Sequence, residues 1–315
     1  MTTAYKQLIT QAIEDFISSE GGSAAQIARK SGLNDAYISL IRNNKPGDTV
    51  KNEHWLKIAA ALNIRFDGWQ TVETQNLRIV TQVLEDAKNN SLFMAVSHNA
   101  GSGKSLACRE FAAANPGKVV YLYRVEHGET NKIDFLRSLA QTLGIDTKGR
   151  GYLSANRLAD LVIEFFTRRL DQAPLLIVDE ADKLTDKALR FFISLYNAVE
   201  ARMGCVVLGT ENLEKKIKSG VHHNRNGFDE IDSRFGRRFI RLTGVTKLEC
   251  RAICKANGID NTKMADAIFE ECEPVTNQFN MRVLRDLRPL ERKIKRELLK
   301  DETTPSENVP AEAAQ

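Results

Sequence analysis

Phe93-Met94-Ala95-Val96-Ser97-His98-Asn99-Ala100-Gly101-Ser102-Gly103-Lys104-Ser105 decides the fold of this 315-residue chain. An apolar run of strand type stops at a glycine turn. A helix-forming stretch, Lys104-Ser105-Leu106-Ala107-Cys108-Arg109-Glu110-Phe111, follows at once. Strand, glycine turn and helix in that order make the context of a phosphate-binding loop. The helix N-terminus offers free N–H groups and a partial positive charge. Gly101 and Gly103 let backbone amides curl toward phosphate oxygens that a side chain would screen. Lys104 would neutralise the β- and γ-phosphates, and the Ser105 hydroxyl would ligate Mg²⁺. Candidate nucleotide contacts therefore run through Asn99, Ala100, Gly101, Ser102, Gly103, Lys104, Ser105 and Leu106, with ATP and Mg²⁺ as the expected cofactors. In the full pattern G-x-x-x-x-G-K-[ST] the first glycine falls on His98, a residue type that tolerates a left-handed backbone better than most.

Leu175-Leu176-Ile177-Val178-Asp179-Glu180-Ala181-Asp182 supplies the second half of such a site. Its unbroken apolar run reads as a strand buried on both faces of a parallel sheet. The acids at its C-terminal end fall where ligands bind in open α/β sheets. Asp179 would hold the magnesium shell, and Glu180 would orient and polarise the water that attacks the γ-phosphate. The pair of motifs describes an NTPase.

Composition sets the bounds around that site. Charged residues at 27% and hydrophobic ones at 42% are the balance of a soluble globular chain, long enough for two domains. A net charge of +4 permits a nucleic-acid partner without demanding one. No apolar run reaches membrane-spanning length, and Met1-Thr2-Thr3-Ala4-Tyr5-Lys6 lacks a signal-peptide core, so a cytoplasmic location is expected. Cys108, Cys205, Cys250, Cys254 and Cys272 form no C-x-x-C pair and have no histidine placed to complete a metal set; they read as thiols.

Outward from the loop, residues 1 to about 20 read as a helix. Ala24 to Arg42 then has helix-turn-helix spacing: Ile27 and Ala28 pack in the first helix, Gly32 turns, and Leu33, Ile38 and Ile41 anchor the second, which Asn34 caps. With a further helix from Glu53 to Leu62, residues 1–65 form an all-helical module. Residues 66–72 lose periodicity and read as a linker. Residues 73–245 alternate helices and strands, with strands at 92–97, 119–122, 175–179, 205–210 and 239–242, which predicts a doubly wound, mostly parallel sheet. Residues 246–300 read as a small helical lid, and the acidic stretch 301–315 as a disordered tail.

The helical module resembles the DNA-binding domains of phage repressors. That resemblance places Asn34, Asp35, Tyr37, Ser39 and Arg42 on or beside a face offered to the major groove. Thr210, ending the fourth strand, falls beside Glu180, where it would hydrogen-bond the attacking water. In Ser233-Arg234-Phe235-Gly236-Arg237-Arg238, Arg234 resembles the arginine finger of AAA+ ATPases, which reaches a neighbouring subunit's nucleotide. Arg282, in Phe279-Asn280-Met281-Arg282-Val283-Leu284, is similar to the lid arginine of that class but lacks the common preceding glycine.

Over about residues 1–300, the chain resembles the Mu B-like AAA+ target-selection ATPases of transposons. The resemblance rests on the helical module, its join to the ATPase at Val72-Glu73-Thr74-Gln75, the phosphate loop, Asp179-Glu180-Ala181-Asp182, Ser233-Arg234 and Arg282. It implies an ATP-dependent protein that polymerises on double-stranded DNA with little sequence preference, captures target DNA and stimulates a transposase. Lys148 and Arg150, with Arg157 behind them, are the candidate DNA contacts of the ATPase. Two other classes share parts of this pattern. A helicase loader would keep the AAA+ features, and a repressor would use the N-terminal module as its main function.

Overall fold

The computed structural model describes residues 3–18, 22–43, 49–62, 69–115, 119–147, 153–199 and 201–303. The chain divides into two compact units. A helical unit takes Met1–Val72, Cys250–Ala267 and Ile294–Gln315, and an α/β unit takes Glu73–Glu249 and Ile268–Lys293.

In the helical unit, helices α1 (Thr3–Ser18), α2 (Ala24–Ser31), α3 (Asp35–Arg42) and α4 (Asn52–Ala61) surround one core. Ser23 and Gln26 form a reciprocal capping box at the start of α2, and Asn34 caps α3 by accepting from the Ala36 amide at 2.9 Å. Between them Gly32 adopts φ +65°, the left-handed turn that stops one helix and redirects the chain into the next. Ile9, Ile13, Ile27, Ile38, Ile41, Trp55 and Ile58 are buried together. Each such side chain contributes roughly 1.5–3 kcal/mol when fully withdrawn from water.

The α/β unit opens with α5 (Gln75–Asn89), capped by Thr74, and β1 (Phe93–Ser97). Then come α6 (Lys104–Ala114), β2 (Val120–Arg124), α7 (Lys132–Thr142), α8 (Ala155–Thr167) and β3 (Leu175–Asp179). The short α9 (Asp186–Leu189) and α10 (Phe191–Val199) lead to β4 (Gly204–Gly209), α11 (Glu211–His222), α12 (Phe228–Arg234) and β5 (Phe239–Ile240). All four pairings in the sheet are parallel, and the order is β2-β3-β4-β1-β5. The expected α/β fold is borne out. Its strand alternation sorts the core: Leu175 and Ile177 join Val80, Leu84 and Phe111 of α5 and α6 on one face. Leu176 and Val178 join Phe135, Val162 and Phe192 of α7, α8 and α10 on the other. Because β4 lies between β1 and β3, the loop after β1 and the acids after β3 open at the same sheet edge.

The stretch expected to be a purely helical lid differs. Beside α13 (Lys247–Ala256), α14 (Thr262–Glu271) and α15 (Arg288–Thr303), it contains β6 (Val245–Thr246), β7 (Val275–Thr276) and β8 (Arg282–Leu284), an antiparallel sheet in the order β6-β8-β7. Turn chemistry explains the departure. The Asn277 carboxamide accepts from the Phe279 and Met281 amides at 2.9 and 3.1 Å, and Asn280 takes φ +58°. Asparagine closes a hairpin there, where apolar periodicity suggested continuing helix. Helix α15 also runs to Thr303, three residues into the expected tail; the remainder of that tail, residues 63–65 of the expected helical module and residues 66–68 of the expected linker lie outside the described residues. No helix among the described residues is long and apolar enough to cross a membrane.

Candidate functional site

Strand β1 delivers the chain to a loop whose left-handed residues are Gly101 (φ +72°) and Gly103 (φ +94°). His98 is not among the residues with positive φ; its amide continues the strand by donating to the Gly209 carbonyl at 3.3 Å. The tolerance of histidine for a left-handed backbone is therefore not called upon, and His98 costs no such strain in place of glycine. Gly103 starts α6 without a side-chain cap, which leaves the first helical amides to an anion. Asn99 and Ala100 span the loop between them, and half-buried Leu106 follows in the helix.

Lys104 is 7% exposed and points back into this loop. Its ammonium donates to the His98 and Asn99 carbonyls, both at 2.8 Å, and to Ser102 Oγ at 3.0 Å. Burial lowers its pKa, while Asp179 and Asp182 act in the opposite direction. Burial raises the Asp179 pKa, while the Ser105 side chain and the Glu180 amide, which donates to its Oδ1 at 3.0 Å, favour its charged form. The His98 pKa is lowered to about 4 by burial and by Lys104, and its Nε2 is a buried atom without a partner, as is Asn99 Oδ1.

Glu180 sits at φ +59°, immediately after β3. Arg124, whose register partner in β3 is Asp179, donates to Glu180 Oε1 from Nε at 2.9 Å. Lys183 pairs with the other carboxylate oxygen. Burial works against the charge on Glu180, but the bonds from Lys183 and Arg124 prevail and hold its pKa below the ordinary value. Thr210 was expected beside Glu180; its hydroxyl and amide instead engage the Asp182 carboxylate at 2.7 and 3.1 Å. An acceptor two residues past Glu180 captures it, while its Oγ1 also caps α11.

Arg234 ends α12, stacked 4.7 Å over the Tyr196 ring with Nη2 donating to Asn197 at 3.1 Å. Arg282 does not join the phosphate loop. It lies on β8 and pairs with Glu270 at 3.0 and 2.5 Å. The lid residues that meet the loop come slightly later: the Leu287 amide donates to the Gly101 carbonyl at 3.0 Å, and a Cβ on Gly101 would lie 1.8 Å from Asp286 Oδ1. The arginine expected at this junction is displaced because the hairpin places its own residue 282 in a strand.

Sequence reasoning also missed Asn76, 1% exposed, which bonds the Ser102 carbonyl. A signal existed: Asn76 occupies the apolar stripe of α5 shared with Val80, Val83, Leu84 and Ala87. In the helical unit, Asn34 and Ser39 are exposed, and Tyr37 stacks with His54 at 4.2 Å. Arg42 is turned to α1, where Glu14 binds it at 2.9 and 3.2 Å, so the resting side chain is not free for a phosphate. Lys148 and Arg150 lie outside the described residues.

Comparison with known proteins agrees with this geometry. The AAA domain family matches residues 87–217. The Mu-like prophage FluMu DNA transposition protein B of Haemophilus influenzae is 25% identical over 82% of this chain and 88% of its own length. The ATP-dependent target DNA activator B of Escherichia phage Mu is 26% identical over 81% of this chain and 79% of its own. The expected resemblance to Mu B-like proteins is therefore borne out. Among solved structures, Cdc6p from Pyrobaculum aerophilum superposes with a TM-score of 0.53 at 18% identity, covering 72% of this chain and 62% of that one, a likeness of fold alone. The α/β unit is an AAA ATPase domain.

Proposed function

We propose that the chain is an ATP-dependent DNA-binding ATPase of DNA transposition, which captures target DNA in the host cytoplasm and presents it to a transposase. The observation that carries this is the phosphate loop: Lys104 is buried within reach of Asp179, in a chain similar over four fifths of its length to an ATP-dependent target DNA activator. Lys104 would exchange the His98 and Asn99 carbonyls for phosphate oxygens, and the free amides at the start of α6 would take the remainder. Ser105 and Asp179 fit a magnesium ion, since they are two oxygen donors that interact with each other and Asp179 forms no ion pair among the described residues. Bound magnesium would neutralise charge on the β- and γ-phosphates.

Glu180 would accept a hydrogen bond from the attacking water and polarise it, once Arg124 and Lys183 release one of its oxygens. Arg234 would leave Tyr196 to reach the nucleotide of a second copy, which makes ATP a ligand of an oligomer on DNA. In the helical unit, exposed Asn34 and Ser39 would contact DNA, with Tyr37 beside them. ATP turnover measured with and without double-stranded DNA tests the proposal. Hydrolysis that DNA stimulates and Glu180→Gln abolishes is expected; turnover unaffected by that substitution would remove Glu180 from its role.

A further inference from the structure

Asn76 lies in the first turn of α5 and uses both ends of its buried carboxamide. Nδ2 donates to the Ser102 carbonyl in the phosphate loop at 3.2 Å. Oδ1 accepts from the Thr243 and Gly244 amides, at 3.0 and 3.2 Å, in the segment between β5 and β6. That segment is pressed against the small sheet: Gly244 holds φ +88°, and a Cβ there would lie 2.7 Å from the Val283 side chain. The Thr243 carbonyl in turn accepts from Asn277 Nδ2 at 3.0 Å. Asn277 closes the hairpin between β7 and β8 through its bonds to the Phe279 and Met281 amides. One continuous chain of hydrogen bonds therefore joins Ser102, Asn76, Thr243 and Asn277. It ends at a hairpin whose tip exposes Phe279 (58%) and Met281 (41%).

We propose that Asn76 is a positioning residue that couples nucleotide in the phosphate loop to the conformation of the β7–β8 hairpin. This rests on the nucleotide reading of the loop. A phosphate drawing the amides of residues 101–103 toward itself shifts the Ser102 peptide, and a buried carbonyl left without its donor is costly. Asn76 can follow only as a rigid planar group, so its Oδ1 moves with its Nδ2. The Thr243–Gly244 amides have no other acceptor within the network and move with it. Asn277 then transmits the displacement to the turn it closes. The exposed phenylalanine and methionine make the hairpin a surface that the loop can present differently in its two states.

The test is hydrogen exchange of the full-length protein with and without saturating ADP, with ADP affinity measured in parallel. Wild type is expected to show ADP-dependent exchange at the Phe279, Asn280 and Met281 amides. Asn76→Asp keeps the Oδ1 acceptor and replaces the donor with an oxygen facing the Ser102 carbonyl. It should bind ADP about tenfold more weakly. At saturating ADP its hairpin should no longer respond, while exchange in β3 and β4 stays at wild-type protection. An Asn76→Asp protein with wild-type affinity and a responsive hairpin would overturn the proposal, as would a wild-type hairpin that ignores bound ADP. Failure of wild type to bind ADP at all would instead sink the nucleotide reading, and this coupling with it. Where Asn76→Asp does not fold, Asn277→Asp cuts the far end and retains the turn acceptor. That variant should bind ADP normally with a silent hairpin, and a hairpin that still responds contradicts the relay.

Discussion

Arg124 Nη2 lies 2.5 Å from Glu180 Oε1, across the C-terminal ends of neighbouring strands. The acid placed to polarise water is thus held by a cation from the adjacent strand, with Lys183 on its other oxygen. Arg124→Gln should raise basal ATP turnover several-fold, because a neutral amide binds the carboxylate less tightly than a guanidinium does. Turnover that is unchanged or lower would show that Arg124 supports the active geometry instead of restraining it.

Lys104→Ala removes the charge that faces the phosphates and leaves the His98 and Asn99 carbonyls without their donor. ADP and ATP affinity should fall about ten- to hundredfold, the scale of a charge-assisted hydrogen bond. Calorimetric titration with each nucleotide reads this directly. Lys104→Arg should not restore affinity, since the planar fork does not fit a pocket built for a compact ammonium.

His98 links stability to pH. Its folded-state pKa is lowered to about 4, below the ordinary 6.5, by burial and by Lys104. Between those values the unfolded chain binds a proton that the folded chain refuses, so stability falls as pH drops from about 6.5 toward 4. His98→Gln should flatten that part of the profile in denaturant titrations and leave the curve above pH 7 unchanged. An equal slope in both proteins would assign the acid sensitivity to other groups.

The α/β unit was legible because its signals are local. A strand, two glycines and Lys104-Ser105 lie within thirteen residues, and Leu175 to Asp179 is apolar enough to be read as a central strand. What escaped depended on contacts distant in sequence. Nothing near Glu180 announces Arg124, and nothing near Arg42 announces Glu14, which lies 28 residues away. The hairpin at residues 275–284 was hidden because its strands are only two and three residues long, too short for alternation to register. Thr210 was placed correctly at a strand end, but its partner is Asp182, an acid that the same motif offered two residues later.

DNA contact by the helical unit is better tested by point substitution than by deletion. Removing residues 1–65 would cut into a compact unit that also contains residues 250–267. Asn34→Ala combined with Ser39→Ala changes only exposed positions at the start and face of α3. DNA affinity should fall several-fold at fixed salt with ATP turnover retained in the absence of DNA; affinity equal to wild type would move the DNA site elsewhere.

Arg234 is stacked on Tyr196 of its own subunit, and its Nε is a buried atom without a partner. A finger acting on a second copy predicts complementation. Arg234→Ala and Lys104→Ala proteins, each inactive alone, should regain ATP turnover when mixed, since some joints then hold an intact loop and an intact arginine. Two folded proteins that stay inactive at every mixing ratio would count against action across a joint.

The central claim, that nucleotide in the phosphate loop governs DNA binding, is tested most directly by one measurement. Double-stranded DNA affinity is determined at a single fixed salt concentration without nucleotide, with ATP and with ADP, for wild type and for Lys104→Ala. ATP should tighten wild-type binding by at least tenfold, ADP should not, and Lys104→Ala should ignore both. Wild-type affinity that is the same in all three conditions would contradict the claim.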